Sequence, residues 1–172
     1  MKTLDRVLDR VVFGESDNMS GVILDKYEDY LCAQFVSSGA DMCKKDILEA
    51  AKNVSNLTGI FIRNNVNLRK FEDLPVKNEV YFGDIPKDII ISENGIKFYA
   101  DIINGQKTGF FFDQRDNRQK LSPYIKDKKI LDCFCHTGAF GIHAKKFLAK
   151  DVVFVDSSRI ALETVEKNYE SN

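Results

Sequence analysis

No apolar run in this chain approaches the ~20 residues that a bilayer-spanning helix needs. The opening segment MKTLDRVLDR carries charges through the region where a signal peptide would be apolar. Membrane insertion and secretion are therefore not expected, and a cytoplasmic location is. A surplus of one charge sign is also lacking, since 25 Lys and Arg face 26 Asp and Glu for a net charge of −1. Global electrostatics thus give no reason to expect nucleic-acid binding, which must rest on a local patch or on parts outside these residues. Four cysteines, Cys32, Cys43, Cys133 and Cys135, are few for a disulfide framework in a chain of 172 residues and point to reduced thiols. Tryptophan is absent, yet three phenylalanines stand together at Phe110, Phe111 and Phe112, followed at once by a charged run. What is present, 44% hydrophobic and 30% charged residues, suits one large or two small folded domains with a real core.

Leu4, Val7, Leu8 and Val11 recur at helical steps and predict a short amphipathic helix with Lys2, Arg6 and Arg10 on its polar face. After a turn-rich segment, VILDKY and DYLCAQFVSS read as two strands joined by a turn near Glu28 and Asp29. Met42, Ile47, Leu48 and Ala51 fit a helix over 41–54, and TGIFIR returns to a strand with Ile60 and Ile62 on one face. Extended pieces follow around NEVYFG, DIIIS and IKFYADI, with Asn94-Gly95 as a two-residue hairpin signal. No internal repeat or low-complexity linker is visible.

Near residue 100 the pattern changes. KKILDCFC and DVVFVDSS read as buried strands, GAFGIHAKKFLA and SRIALETVEKNYE as helices. Strand, glycine turn, helix, strand, helix is the opening of a doubly wound parallel sheet. Only two of its strands fall within the chain, so the sheet is expected to be incomplete, in a fragment of a longer protein or one that borrows strands from another molecule. An unpaired strand edge recruits partners, so a homodimer through that edge is a further expectation, to be abandoned if sedimentation shows a monomer.

In LDCFCHTGAFG the turn glycines Gly138 and Gly141 would let a ligand lie against the main chain where a helix offers unpaired N–H groups. The dinucleotide fingerprint requires glycine where His136 stands, which disfavours a nicotinamide-dependent oxidoreductase. Asp132 on the first strand is instead typical of a site for S-adenosylmethionine, and Asp156, ending the second strand, is placed to accept hydrogen bonds from ribose hydroxyls. The bland alternative is that both carboxylates cap helices. Cys133 and Cys135 alternate on one face of a buried strand as core residues, and no second Cys/His pair completes a metal site.

These segments resemble the class I methyltransferases of the large-subunit ribosomal RNA cytosine-5 type, which combine a PUA domain, a central mixed domain and a Rossmann-like catalytic domain. The resemblance runs through RVVFGESDNMSGVILDKYEDYLCAQ, GIFIRNN, ENGIKFYADIINGQKTGFFFDQRDNR, ILDCFCHTGAFGIHA and VVFVDSSRIALETVEKN. It implies an α/β fold: a small α+β central domain over 1–94, and over 95–172 a hairpin plus the first part of a truncated methyltransferase sheet. It implies S-adenosylmethionine as cofactor and ribosomal RNA as partner of the full-length protein. Lys107, Thr108, Gly109 and Phe110 would line the methionine end, and Gln114 and Arg115 would face cofactor or RNA. Asp132, Thr137, Gly138, Gly141, Asp156 and Ser157 would complete the cofactor half-site. The family's catalytic cysteine is expected beyond Asn172, leaving this chain inactive by itself. Phe110 to Phe112 would alternate across a strand, with Asp113 as the N-cap of the charged helix. Two plainer readings stand beside this one: Gln114, Arg115 and Arg118 as a solvated helix face, and the whole chain as a non-catalytic RNA-binding or assembly module. A basic surface drawn from Arg6, Arg10, Lys44, Lys45, Arg63, Arg69 and Lys70 would support the module.

Overall fold

The computed structural model describes residues 8–105 and 108–172. Two compact units emerge, Met1–Ile89 with Asp101–Gly109, and Ile90–Ala100 with Phe110–Asn172.

The first unit is a mixed five-stranded sheet in the order β1-β2-β3-β4-β5, formed by Leu8–Phe13, Val22–Tyr27, Tyr30–Phe35, Gly59–Arg63 and Asn78–Phe82. β2 and β3 make the expected hairpin across Glu28 and Asp29. β3 and β4 are parallel, with Leu31 opposite Ile60 and Ala33 opposite Ile62. Parallel neighbours need a crossover, supplied here by α1 (Ser38–Met42) and α2 (Lys44–Val54). Ser37 caps α1 by accepting the Ala40 N–H at 3.3 Å. Leu48 of α2 enters a core made by Val22, Leu24, Leu31, Phe35, Ile60 and Ile62. Burying each such side chain contributes about 1.5–3 kcal/mol.

The helix predicted at the start of the chain is corrected. Lys2, Leu4, Arg6 and Val7 lie outside the described residues, but Leu8–Phe13 pair antiparallel with β2. A short apolar pattern fits either period, and an available sheet edge decides it. The helix over 41–54 breaks at Cys43, and Met42 is exposed rather than core.

The basic surface imagined for an RNA-binding module is also corrected, because three of its arginines act internally. Arg63 is buried and donates to the carbonyls of Ile102, at 3.3 Å, and Gly105. Arg69 is buried, donating to the Pro75 carbonyl at 2.8 Å and to that of Phe35, with Asp41 at 2.9 Å. Arg10 grips the fully buried Asp25 through two bonds of 2.7 and 2.9 Å. Asp25 also accepts the Thr108 hydroxyl, and Thr108 accepts Tyr27 Oη at 3.2 Å. A buried carboxylate requires such partners, and this one ties residues far apart in sequence.

The second unit contains the hairpin β6 (Ile89–Glu93) and β7 (Ile96–Ala100), with the turn at Asn94 and Gly95, both at positive φ. After it come α3 (Arg115–Lys120) and α4 (Ser122–Ile125), then β8 (Lys129–Cys133), α5 (Ala139–Lys146), β9 (Asp151–Val155) and α6 (Arg159–Glu170). β8 and β9 are parallel, Lys129 opposite Asp151 through Cys133 opposite Val155. Both strands were expected to be buried on two faces. Instead their burial alternates, with Leu131, Val153 and Val155 exposed. The half-buried positions include Phe154, which meets Gly141 of α5 and Val152 beside Val165 and Tyr169 of α6. Among the described residues, no helix is long and apolar enough to cross a membrane.

Candidate functional site

Five residues separate β8 from α5: Phe134, Cys135, His136, Thr137 and Gly138. Phe134, His136 and Gly138 all take positive φ, and Gly138 occupies the N-cap of α5 in the left-handed conformation. Glycine adopts that conformation freely, whereas a side chain is strained there. The strand ends at Cys133, so the alternation expected through Cys135 stops. Cys133 is exposed and Cys135 is buried, so the two do not share a buried face as core residues. Burial pushes the Cys135 thiol up to about 11, which keeps it protonated at neutral pH.

Two carboxylates hold this loop. Asp132 accepts the Gly141 N–H at 2.8 Å, and Asp156 accepts the N–H groups of His136 and Ser158, each at 2.9 Å. Those Ser158 and His136 bonds hold the Asp156 carboxyl below the usual range. Burial raises Asp132, against the Gly141 bond, and the negative charge of Asp156 adds to the rise. The helix-capping alternative is therefore partly realised, since both aspartates brace backbone. A carboxylate has about four acceptor sites, and the backbone N–H groups of His136, Ser158 and Ser157 that act on Asp156 leave it acceptor capacity to spare. Thr137 is buried, and its carbonyl accepts Asn168 Nδ2 at 2.8 Å, while Ser157 is exposed. Gly141 has a reason other than ligand approach: a Cβ there would lie 2.2 Å from the Phe154 ring.

Residues 110–118 differ from expectation. Phe110 to Phe112 do not form a strand: Phe110 is buried and Phe112 opens a 3₁₀ turn through Gln114. Neither that turn nor α3 has a side-chain N-cap bond, so Asp113 does not cap the helix. Its carboxylate instead accepts Gln114 Nε2 at 3.1 Å, and Gln114 Oε1 accepts Asn117 Nδ2 at 3.0 Å. Arg118 is not on a solvated face. It is 1% exposed, holds Glu93 through bonds of 2.6 and 2.7 Å, and donates to the Phe111 carbonyl at 3.0 Å. Arg115 Nε lies 3.6 Å from the same carboxylate. The Phe111 ring meets His136 edge-on, 5.1 Å between centroids, so this buried pair is linked to the glycine loop. Thr108 and Gly109 belong to the first unit, and Lys107 lies outside the described residues.

Four residues of this environment were not singled out as functional: Glu93, His143, Asn168 and, as a buried group, Arg118. Glu93 follows Ile89 and Ile91 on the inward face of β6, which strand alternation could have revealed. Asn168 follows Ala161 and Val165 on the buried stripe of α6, and it bridges the Tyr99 N–H, at 2.7 Å, to the Thr137 carbonyl.

His143 Nδ1 lies 2.8 Å from the Ala139 carbonyl, which can only accept, so that nitrogen carries the proton. Nε2 lies 3.4 Å from Glu93 Oε1. Burial lowers the His143 pKa from its ordinary 6.5; the Ala139 bond and Glu93 oppose this, and the charges of Arg118 and Lys146 reinforce it. Unfolded chain then takes up a proton at higher pH than folded chain. Stability linked to His143 is present above the unfolded value and lost as pH falls through the folded one. The urea midpoint should drop more between about pH 7.5 and about pH 5.5 in the wild type than in His143→Leu; equal slopes would remove His143 from the acid response.

Residues 75–172 match the family described as S-adenosylmethionine-dependent methyltransferase. Ribosomal RNA large subunit methyltransferase I of Aliivibrio fischeri is 42% identical over 164 residues, covering 95% of this chain and 41% of that protein. Thus the chain spans about two fifths of the length of the curated relatives it matches. A solved Streptococcus mutans structure, assigned as a SAM-dependent methyltransferase, superposes with a TM-score of 0.82 at 26% identity, over 96% of this chain and 43% of that one. A structure assigned as a methyltransferase and complexed with SAH aligns with the same score and identity, over 96% of this chain and 42% of that one.

Proposed function

Because this chain belongs to the S-adenosylmethionine-dependent methyltransferase family, we propose that its second unit holds that cofactor at the carboxyl ends of β8 and β9. A protein containing these residues would methylate cytosine-5 of large-subunit ribosomal RNA. The observation that carries the cofactor reading is the braced loop itself: Asp132 fixed on Gly141 and Asp156 fixed on His136 and Ser158, at the end of two parallel strands. Open α/β sheets bind ligands in this position. The RNA part rests on the 42% identity to a protein named as a ribosomal RNA methyltransferase.

When bound, the cofactor supplies an electrophilic methyl group. The share of this chain is to hold and orient it. Asp156, kept ionised by its backbone donors, accepts the ribose hydroxyls on its remaining lone pairs. Gly138 opens α5 without a side chain in the way, and Thr137 and Ser157 flank the same opening. The Phe111 and His136 pair and the Arg118 and Glu93 pair keep that loop in place from the α3 side. In a complete site a thiolate would add to C6 of the pyrimidine, C5 would take the methyl group and leave S-adenosylhomocysteine, and removal of the C5 proton would expel the thiolate and restore the ring.

Calorimetric titration with S-adenosylmethionine tests the cofactor reading. Wild-type chain should bind, and Asp156→Ala should bind at least about tenfold more weakly, the loss of a charge-assisted hydrogen bond being about 1.5–3 kcal/mol. Asp156→Asn separates folding from binding, because it keeps the shape and one acceptor. A well-folded wild type that ignores the cofactor, or an Asp156→Ala variant that binds it unchanged, would sink the reading.

A further inference from the structure

Asn168 is fully buried in α6, on the stripe that carries Ala161 and Val165. An apolar side chain is expected at that spacing, and asparagine is a poor helix former. Burying an amide there is unfavourable unless both of its ends find partners. Both do: Oδ1 accepts the Tyr99 N–H at 2.7 Å, and Nδ2 donates to the Thr137 carbonyl at 2.8 Å.

Four residues on, Asn172 shows what holding β7 requires. Its amide spans the Lys97 N–H, at 2.9 Å, and the Lys97 carbonyl, at 2.8 Å, and also donates to the Asn168 carbonyl. Asn168 instead divides its two ends, one on β7 and one on the loop between β8 and α5. Anchoring β7 needs only the first of these, so the second serves the loop.

That loop is held near its start by the His136 N–H on Asp156, at 2.9 Å, and past its end by the Gly141 N–H on Asp132, at 2.8 Å. Between them, the peptide joining Thr137 to Gly138 is gripped from both sides. Asn168 holds its carbonyl, and its N–H donates to the Cys135 carbonyl at 2.8 Å. Gly138, at φ 77°, would tolerate that peptide turned over, because glycine has no Cβ to oppose it. Turning it would swing the Thr137 carbonyl off α6 and change the backbone dipole presented where α5 opens.

We infer that Asn168 is a positioning residue for the cofactor, fixing the orientation of the Thr137–Gly138 peptide and through it the affinity of the loop. This rests on the reading of the β8–α5 loop as the cofactor site. It adds a residue 31 positions away that acts on the loop without touching the ligand.

The test is titration of the 172-residue chain with S-adenosylhomocysteine at two pH values, using wild type, Asn168→Leu, Asn168→Asp and Asn172→Ala, with Tm followed by circular dichroism. Each variant is compared with wild type at the same pH, which removes contributions from Asp132, Asp156, His136 and His143. Asn168→Leu keeps the size but neither bond, and should bind about tenfold more weakly at both pH values. Asn168→Asp keeps an acceptor for Tyr99 but, when ionised, turns a second acceptor on the Thr137 carbonyl. Burial raises a carboxyl pKa by up to about 3–5 units, so its deficit should be about tenfold at about pH 9 and mostly gone at about pH 5.5, where its O–H can donate. Asn172→Ala should lower Tm and leave affinity unchanged. A contact that only held α6 against β7 would move Tm and leave the affinity of folded protein alone. Wild-type affinity in folded Asn168→Leu, or a deficit in Asn168→Asp that is absent or equal at both pH values, would overturn the inference. If binding were still lost in Asp156→Ala, the cofactor reading would stand. Wild-type chain that does not bind S-adenosylhomocysteine would remove both.

Discussion

Arg118→Ala is expected to lower the unfolding free energy by about 3–5 kcal/mol, the cost of breaking a buried ion pair by deleting one partner. Glu93 is 2% exposed and cannot regain water without opening the unit. Its bidentate bonds to Arg118 would be lost together with the Arg118 bond to the Phe111 carbonyl. Arg115, at 3.6 Å, and His143, at 3.4 Å, would compensate in part, which places the expectation toward the lower end of that range. Arg118→Lys keeps the charge but cannot form the fork, and should fall between wild type and alanine. Urea unfolding in a double-mutant cycle isolates the pair: in a Glu93→Leu background, Arg118→Ala should cost far less than in wild type. A cost below about 1 kcal/mol in the wild-type background would mean that the pair contributes no more than a surface bridge.

Gly141→Ala should affect both stability and cofactor binding. The new Cβ would meet Phe154 atoms at 2.2, 2.7 and 3.0 Å, so the ring or the helix must move. Phe154 cannot retreat freely, because its ring also lies against the Gly138 position and Tyr169. Overpacking of this kind costs about 1–3 kcal/mol. Moving α5 away from β9 would also stretch the Gly141 N–H bond to Asp132 and shift the loop, so affinity for S-adenosylhomocysteine should fall about tenfold, as small misplacements of a site do. Phe154→Leu makes room and should recover part of both losses in the double variant, although it is destabilising alone. Additive losses in the double variant would show that Gly141 is required for a reason other than the Phe154 ring.

Asn94-Gly95 announced its hairpin because few dipeptides take positive φ at both positions, and the turn is seen at those residues. The β2 and β3 hairpin and the succession of β8, α5, β9 and α6 follow from local period and turn chemistry. Glu93 and Asn168 were also legible in principle, one by strand alternation with Ile91 and the other by helical spacing from Val165, but their polar character hid the pattern. Phe110 to Phe112 misled because β-propensity reflects fit to a sheet, and here no sheet position receives them.

By itself the sequence determined the kinds and order of most elements, though not of β1 or of residues 110–112, together with the glycine-opened helix flanked by Asp132 and Asp156 and the methyltransferase family. All of these depend on neighbours within a few residues or on long motif strings. Tertiary structure alone decided which charges go inside. Arg63, Arg69 and Arg118 look like solvated cations in any local window, yet each is buried against acceptors of 6 to 42 residues' separation. Burial of a charge is settled by whether the fold brings it enough hydrogen bonds to replace water, and that sum is made across the chain rather than along it.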